Sequence, residues 1–245
     1  MATLTPFLSI IFPAHNEEQR LPDTLEQTRL FVETQPYPIE IIIIENASSD
    51  RTLEIAKEFS AINSYISVIH EDRPGKGLAV QIGMLAAQGK YRFICDVDLS
   101  MPIQEIPRFI PPQLEGVDIA IASREAKGAV RYGEPEYRHL IGRVFNNMVR
   151  WLTLPGLQDT QCGFKCFTAE SAERLFPMQT IHGWTFDVEI LAIAIQLGYR
   201  VVEVPIPWFY HAHSKIHVLK DSFRMALDLI KIRKIVRRKT YARSH

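Results

Sequence analysis

Asp96-Val97-Asp98 closes the apolar run Tyr91-Arg92-Phe93-Ile94-Cys95, setting two carboxylates one residue apart where a buried strand would meet solvent. Alternate side chains along a strand face the same way, and like charges held that close need a metal, a proton or a ligand donor to relieve them. With oxygen-only neighbours the pair suits a hard divalent cation, Mg2+ or Mn2+, and such an ion in turn suits a diphosphate. Taken alone the triplet also fits ordinary strand-end punctuation, because Asp is common in turns. Its neighbours separate the two readings.

Two further polar segments follow apolar runs: Pro13-Ala14-His15-Asn16-Glu17 and Glu45-Asn46-Ala47-Ser48-Ser49-Asp50. Neither they nor the first strand end carries the Gly-x-Gly-x-x-Gly that lets backbone approach a pyrophosphate, which argues against a dinucleotide-dependent hydride transfer. A diphosphate here must then be held by a metal and by cationic side chains. Asp98 is the better metal-ligand candidate, with Asp96 sharing the ion or facing a nucleotide. Arg73-Pro74-Gly75-Lys76-Gly77 adds positive charge on a turn that opens a helix, where the helix dipole also favours anions.

The elements that must position these residues alternate. Phe7 to Phe12, Ile39 to Ile44, Ile66 to His70, Tyr91 to Cys95 and Val117 to Ala122 read as strands. Glu17 to Glu33, Asp50 to Ser60, Leu78 to Gln88 and Ile103 to Leu114 read as the helices between them. Ile41-Ile42-Ile43-Ile44 has no polar alternation, so both faces of that strand must be covered, as in a mostly parallel central sheet flanked by helices. In such sheets ligands bind at the carboxyl ends of the strands, where all three polar segments fall. Residues 126–135, with Gly128, Gly133 and Pro135, read as a loop that suits a lid or an acceptor gate. Helices at Tyr137 to Leu152, Ala169 to Phe176 and Phe186 to Leu197, a strand at Val201 to Val204 and a long amphipathic helix from Leu219 to Arg238 complete the pattern.

At 245 residues and 47% apolar content the chain can bury one large core; residues 1–210 read as a single domain and 211–245 as an amphipathic basic helix and tail. Lys+Arg and Asp+Glu both number 28, so no global charge draws the chain to nucleic acid. The run from Lys231 to Lys239 nonetheless holds six positive residues and no acid. Cys95, Cys162 and Cys166 are an odd set, one of them inside an apolar strand, which implies reduced thiols and a cytosolic setting. Cys162 and Cys166 lack a second pair at zinc-finger spacing and read as packing residues on a strand. No apolar stretch approaches the ~20 residues of a membrane span. The expected location is cytoplasmic, with any membrane contact peripheral and on the cytoplasmic face.

In order along the chain, Ile11-Phe12-Pro13-Ala14-His15-Asn16-Glu17-Glu18, the Glu45 to Asp50 segment, Arg73 to Gly77, Asp96 to Ser100, Ser123-Arg124, Asp159-Thr160-Gln161-Cys162-Gly163-Phe164-Lys165 and Trp184-Thr185-Phe186-Asp187-Val188-Glu189 resemble the inverting family-two nucleotide-sugar glycosyltransferases of the GT-A fold. Within that family the dolichyl-phosphate β-glucosyltransferases are most similar, and the dolichol-phosphate mannose synthases somewhat less so. The resemblance implies that Pro13, Ala14, Asn16, Glu17, Glu45 and Asp50 line the nucleotide, supported by Lys76. It makes Asp96 and Asp98 the metal pair, sets Gln161, Asp187 and Glu189 beside sugar and acceptor, and turns Arg124 and Lys215 toward phosphate. Ser100 stands where the mannose synthases often carry a metal-assisting Gln, so water would complete the coordination.

Chemistry bears separately on the acceptor class. A polyprenyl monophosphate is largely a dianion at neutral pH and attacks without a general base, whereas a saccharide hydroxyl needs a carboxylate such as Asp187 or Glu189. A phosphate acceptor needs a cation instead, for which Arg138 and Arg143 are candidates. Together with the resemblance, which alone implies the glucosyl branch, the reading is transfer of a hexose, glucose from UDP-glucose, to polyprenyl or dolichyl phosphate. Its alternatives are a GDP-mannose donor, a saccharide acceptor, a silent nucleotide-binding module, and a nucleotidyltransferase, which would need the glycine-rich loop that is missing. The C-terminal helix, with Phe223, Leu227 and Ile230 near helical spacing and a basic end, suits either an anionic membrane surface or core packing. His211-x-His213-x3-His217 could supply a late metal ligand, and Trp184 and Trp208 could stack on a sugar.

Overall fold

A computed structural model describes residues 5–211 and 218–238. Lys215, His213 and His217 lie outside the described residues.

The chain builds a seven-stranded sheet from β1 (Leu8–Ala14), β2 (Ile39–Asn46), β3 (Ile66–Glu71), β4 (Tyr91–Cys95), β5 (Ile119–Ser123), β7 (Phe164–Thr168) and β8 (Val201–Pro205), in the order β3-β2-β1-β4-β7-β5-β8. All neighbours are parallel except β7, which runs antiparallel to both β4 and β5. Helices α1 (Leu21–Glu33), α2 (Thr52–Ile62), α3 (Lys76–Ala86), α4 (Glu136–Leu152), α5 (Ala169–Leu175), α6 (Phe186–Gln196) and α7 (Val218–Arg238) complete the chain's regular structure with a small ribbon described below.

The isoleucine run of β2 shows why the sheet is covered on both faces. Ile41 and Ile43 enter a core with Leu8, Ile10 and Phe12, beneath α1 and α2. Ile42 and Ile44 enter a second core with Ile11, under α3, α5 and α6. Period-two alternation thus feeds two cores from one apolar run, each buried isoleucine contributing about 1.5–3 kcal/mol.

Four sequence expectations shift. The first helix starts at Leu21, not Glu17, because Asn16 adopts φ 52° and a tight turn closes from Leu21 N to Glu17 O, with Pro22 in the first helical turn. The helix expected at Ile103 to Leu114 is a 3-10 segment, Ile103–Phe109, with Pro107 inside it. The expected loop at 126–135 contains β6 (Val130–Tyr132), which pairs in parallel with β9 (Pro207–Phe209). Finally, α7 packs through a face other than the Leu227 and Ile230 spacing: Met225, Leu229 and Ile232 are buried, the last two in the core that holds α6, while Leu227 and Ile230 are exposed.

Candidate active site

β2, β1 and β4 lie side by side, so their carboxyl-end loops share one rim. The loop after β4 is held tightly. Val97 is buried as a peg, its carbonyl accepts a 2.5 Å bond from Thr24 Oγ1, and Leu99 at φ 44° turns the chain so that Leu99 N returns to Asp96 O at 3.2 Å. Ser100 N donates to Asp98 Oδ1 at 2.9 Å. With Val97 inward, both flanking carboxylates remain partly exposed at the rim. Among the described residues no group of three His, Cys, Asp or Glu gathers to hold a metal. Two carboxylates with the remaining positions left to water and phosphate are the donor set that Mg2+ or Mn2+ accepts.

Gly163 explains how Asp96 fits. A Cβ at this position would lie 1.8 Å from Asp96 Oδ2, so the carboxylate occupies the space a side chain would fill. Gly163 O also accepts from Asp96 N at 3.1 Å. On its other side Asp96 Oδ1 meets Lys76 Nζ at 2.6 Å, and that ammonium lies 5.4 Å from the Trp184 ring centre. Burial alone would lower the Lys76 pKa, but Asp96, helped by Asp187 and Asp98, holds it above the usual lysine range. α3 reaches this position because Gly77 passes close to the 181–186 segment, where a Cβ would come within 2.7 Å of Phe186 Cβ.

Asp187 opens α6 and is buried between two cations. Lys165 Nζ, from the buried face of β7, lies 3.2 Å from its Oδ2 and also donates to Cys162 O. Burial pushes the Asp187 carboxyl up, against the downward pull of Lys165 and Lys76. Glu189 lies two residues further on, fully buried; it accepts from Thr180 N at 2.9 Å, Thr180 Oγ1 at 2.5 Å and Ile181 N at 2.8 Å. Its carboxylate shapes the segment that carries Trp184.

The structure brings the expected nucleotide-side residues together through backbone contacts. Asn16 N donates to Ser48 Oγ at 3.0 Å, and Ser49 N donates to Asn16 Oδ1 at 2.8 Å. Glu17 N donates to Thr52 Oγ1 at 2.7 Å, while Asp50 receives Glu18 N at 3.1 Å and Thr52 N at 3.0 Å, closing an Asx turn just before α2. Pro13 and Ala14 end β1 beside Ile44 and Glu45. Glu45 is buried, with Ser48 N at 2.7 Å on one oxygen and His70 Nδ1 on the other. The Glu45 bond, then Asp72, raises the His70 pKa. Asn46 fastens the lysine-bearing turn, accepting from Gly75 N at 2.7 Å and donating to Arg73 O at 2.6 Å.

Arg124 is placed differently from the expectation of a phosphate contact. Its guanidinium grips Asp159 at 2.6 and 2.9 Å, its backbone N adds a 3.0 Å bond, and its carbon lies 5.6 Å from the Trp208 ring centre. Two of its five N–H donors are thereby engaged by a buried carboxylate, which fixes the orientation of the fork. Gln161 is half-buried, two residues before Gly163. Arg138 and Arg143 belong to α4, with Arg143 exposed.

His70 and the buried role of Lys165 escape the sequence reading. His70 has a usable signal, since β2–β3 register pairs it with Glu45. Lys165 has none, because nothing local to Phe164-Lys165-Cys166 reveals the Asp187 carboxylate across the fold.

A parallel sheet with one reversed strand, a carboxylate pair at its carboxyl edge and a lysine beside it define a nucleotide-sugar transferase of the GT-A type. Residues 9–176 match the model of glycosyl transferase family 2. The chain belongs to this family and is a glycosyltransferase. It is 33% identical over 242 residues to a dolichyl-phosphate beta-glucosyltransferase of Dictyostelium discoideum, covering 93% of this chain and 74% of that protein. The Saccharomyces cerevisiae protein of the same name is 30% identical over 93% of this chain and 74% of its own length. Among solved structures, glucosyl-3-phosphoglycerate synthase from Mycobacterium tuberculosis in complex with Mn2+, UDP-glucose and phosphoglyceric acid superposes with a TM-score of 0.65 at 19% identity, covering 94% of this chain and 79% of that one. The shared fold is the finding there.

Proposed function

We propose that this protein transfers glucose from UDP-glucose to a dolichyl or related polyprenyl phosphate with inversion, releasing UDP. The observation that carries the reading is the Asp96–Lys76 pair, 2.6 Å apart at the carboxyl edge of the sheet. It supplies both parts that a diphosphate leaving group needs: an anionic anchor for a divalent ion and an adjacent ammonium. Similarity to the dolichyl-phosphate beta-glucosyltransferases supports the choice of sugar and acceptor.

Asp96 and Asp98 would hold Mg2+ or Mn2+, which when bound neutralises charge on the diphosphate as the glycosidic bond breaks. The loops after β1 and β2 hold the nucleoside, with Glu45 fixed by His70 and Ser48. Lys76, retained by Asp187 as well as Asp96, offers its ammonium to the leaving phosphate. A phosphate oxygen of the acceptor attacks the anomeric carbon from the face opposite UDP. The carbon–oxygen bond to UDP breaks, and its electron pair leaves with the diphosphate. Because the acceptor is already anionic, no side chain must take a proton. Asp187 then serves as the counter-charge that steadies Lys76 and Lys165, and Glu189 as scaffold. Arg143 is a candidate for the acceptor phosphate. Such an acceptor requires contact with a membrane, and among the described residues no helix is long and apolar enough to cross one.

Calorimetric titration with UDP-glucose and GDP-mannose, each with and without Mn2+, tests the donor. UDP-glucose should bind only with metal, and Asp98→Ala should weaken it by at least about tenfold, as expected for a lost charged ligand. Labelled glucose should then pass to polyprenyl phosphate. Preference for GDP-mannose would move the protein to mannosyl transfer, and binding indifferent to metal and to Asp98 would end the proposal.

A further inference from the structure

α4 presents an unusual face. Tyr137, Leu140, Val144 and Trp151 are 63 to 87% exposed, and with half-buried Met148 they follow the 3, 4, 4, 3 spacing of one helical stripe about 20 Å long. The opposite side supplies the buried Val149 and Asn146. Among the described side chains, the helix thus turns Asn146 and Val149 inward and shows solvent a continuous apolar stripe. Isolated exposed apolar residues need no explanation, but a contiguous stripe marks an interaction surface.

Neighbouring elements extend it. α7 packs against α4, exposing Leu227 and Ile230 while Leu229 and Ile232 go inward. An open groove of about 310 Å³ joins the two helices, lined by Trp151, Leu152, Pro155, Ile232 and Arg233. At the other end of α4, the β6–β9 ribbon carries Tyr132 stacked on Phe209 at 4.7 Å, both well exposed. Phe209 N donates to Ser100 O at 2.8 Å, so this surface runs up to the loop that holds Asp96 and Asp98.

Charge identifies the occupant. Arg143 and Arg150, seven residues apart, form an exposed row on one flank of the α4 stripe, and Arg233 and Lys234 are exposed on α7 beside Lys231, which pairs with Asp228 at 3.1 Å. The only acid exposed on the described side chains of these two helices is Glu136, at the start of α4. Two copies meeting through this face would oppose like charges, whereas an anionic bilayer surface complements both the stripe and its basic flanks. We infer that the exposed face of α4, continued by α7, docks on the surface of an anionic lipid bilayer and sets the Asp96–Asp98 loop beside it. This rests on the lipid-acceptor reading for its purpose, though not for its evidence.

The test is co-sedimentation with phosphatidylcholine vesicles, with and without phosphatidylserine. The wild-type chain should sediment with the anionic vesicles. Leu140→Glu/Val144→Glu should lower that partition by at least about tenfold. Arg150→Glu/Lys234→Glu should lower it at low salt, by a factor that shrinks as salt is raised. Both variants should keep wild-type UDP binding and melting temperature, showing that they are folded. Trp151 emission should move to the blue on binding, a shift that Trp151→Phe removes. Unchanged partition of both variants would overturn the inference. So would light scattering that shows a wild-type dimer split by Leu140→Glu/Val144→Glu, which assigns the face to a second copy. Partition lost in the variants beside a wild-type enzyme that never glucosylates polyprenyl phosphate would sustain the surface and remove the acceptor reading. Transfer without any vesicle binding would do the reverse.

Discussion

At the scale of single residues the site depends on what is missing as much as on what is present. Asp96 stands where a Gly163 side chain would be, and its other oxygen reaches Lys76. Gly163→Ala would place a methyl 1.8 Å from Oδ2, a separation no contact allows, so either the carboxylate swings off Lys76 or β7 shifts. The expected result is a loss of about a hundredfold in kcat/KM with the melting temperature nearly unchanged, because displacement of a reacting group by about 1 Å costs that much. Wild-type Mn2+ and UDP binding in the variant would show that Asp96 can relocate freely. This glycine was legible only as part of a motif. That Asp96-Val97-Asp98 would carry both carboxylates outward was legible directly, since Val97 is the kind of residue a core takes.

Elements that hold the site were legible in proportion to their length and apolar content. β1, β2 and β4 announce themselves as apolar runs, and the polar segments after them fall together as parallel packing requires. β6 and β9 did not, because three residues carry no measurable period and one strand lies in a stretch rich in Gly and Pro. Yet β9 joins two parts of the site, pairing with β6 along one edge while Phe209 N donates to Ser100 O along the other. Phe209→Pro removes that donor, and Phe209→Ala removes only the ring stacked on Tyr132. The proline variant should bind UDP with metal roughly tenfold more weakly, in keeping with a freed loop that must be ordered on binding. The alanine variant should bind within about twofold of wild type. Equal losses would mean that the aromatic stack, not the backbone bond, steadies the loop of Asp96 and Asp98.

Across the whole molecule the reversed strand β7 divides the sheet. The loops after β1, β2 and β4 follow strands on one side of it, while β5 and β8 on the other are strapped by Arg124, Asp159 and Glu203. Alternating β and α predicts a parallel sheet but not the reversed insertion. Nor does a sequence show that the carboxylate partner of Arg124 lies 35 residues away. The strap has a pH signature. Burial works against ionisation of Asp159, but Arg124 prevails and holds its carboxyl at about 2, below the ~3.9 of an unfolded chain. The strap's contribution is thus complete above about pH 4 and is lost as pH falls toward 2, in all roughly 2 kcal/mol. Asp159→Asn, which leaves Arg124 without its counter-charge, should cost about 3–5 kcal/mol in urea unfolding at neutral pH. At about pH 3 that penalty should be smaller by roughly 1 kcal/mol, because there the unfolded wild-type chain takes up a proton on this carboxyl that the folded chain does not. A penalty that stays constant between the two would mean that Asp159 keeps the protein together through its bonds from the Arg124 and Glu203 strands alone, with the ion pair adding nothing.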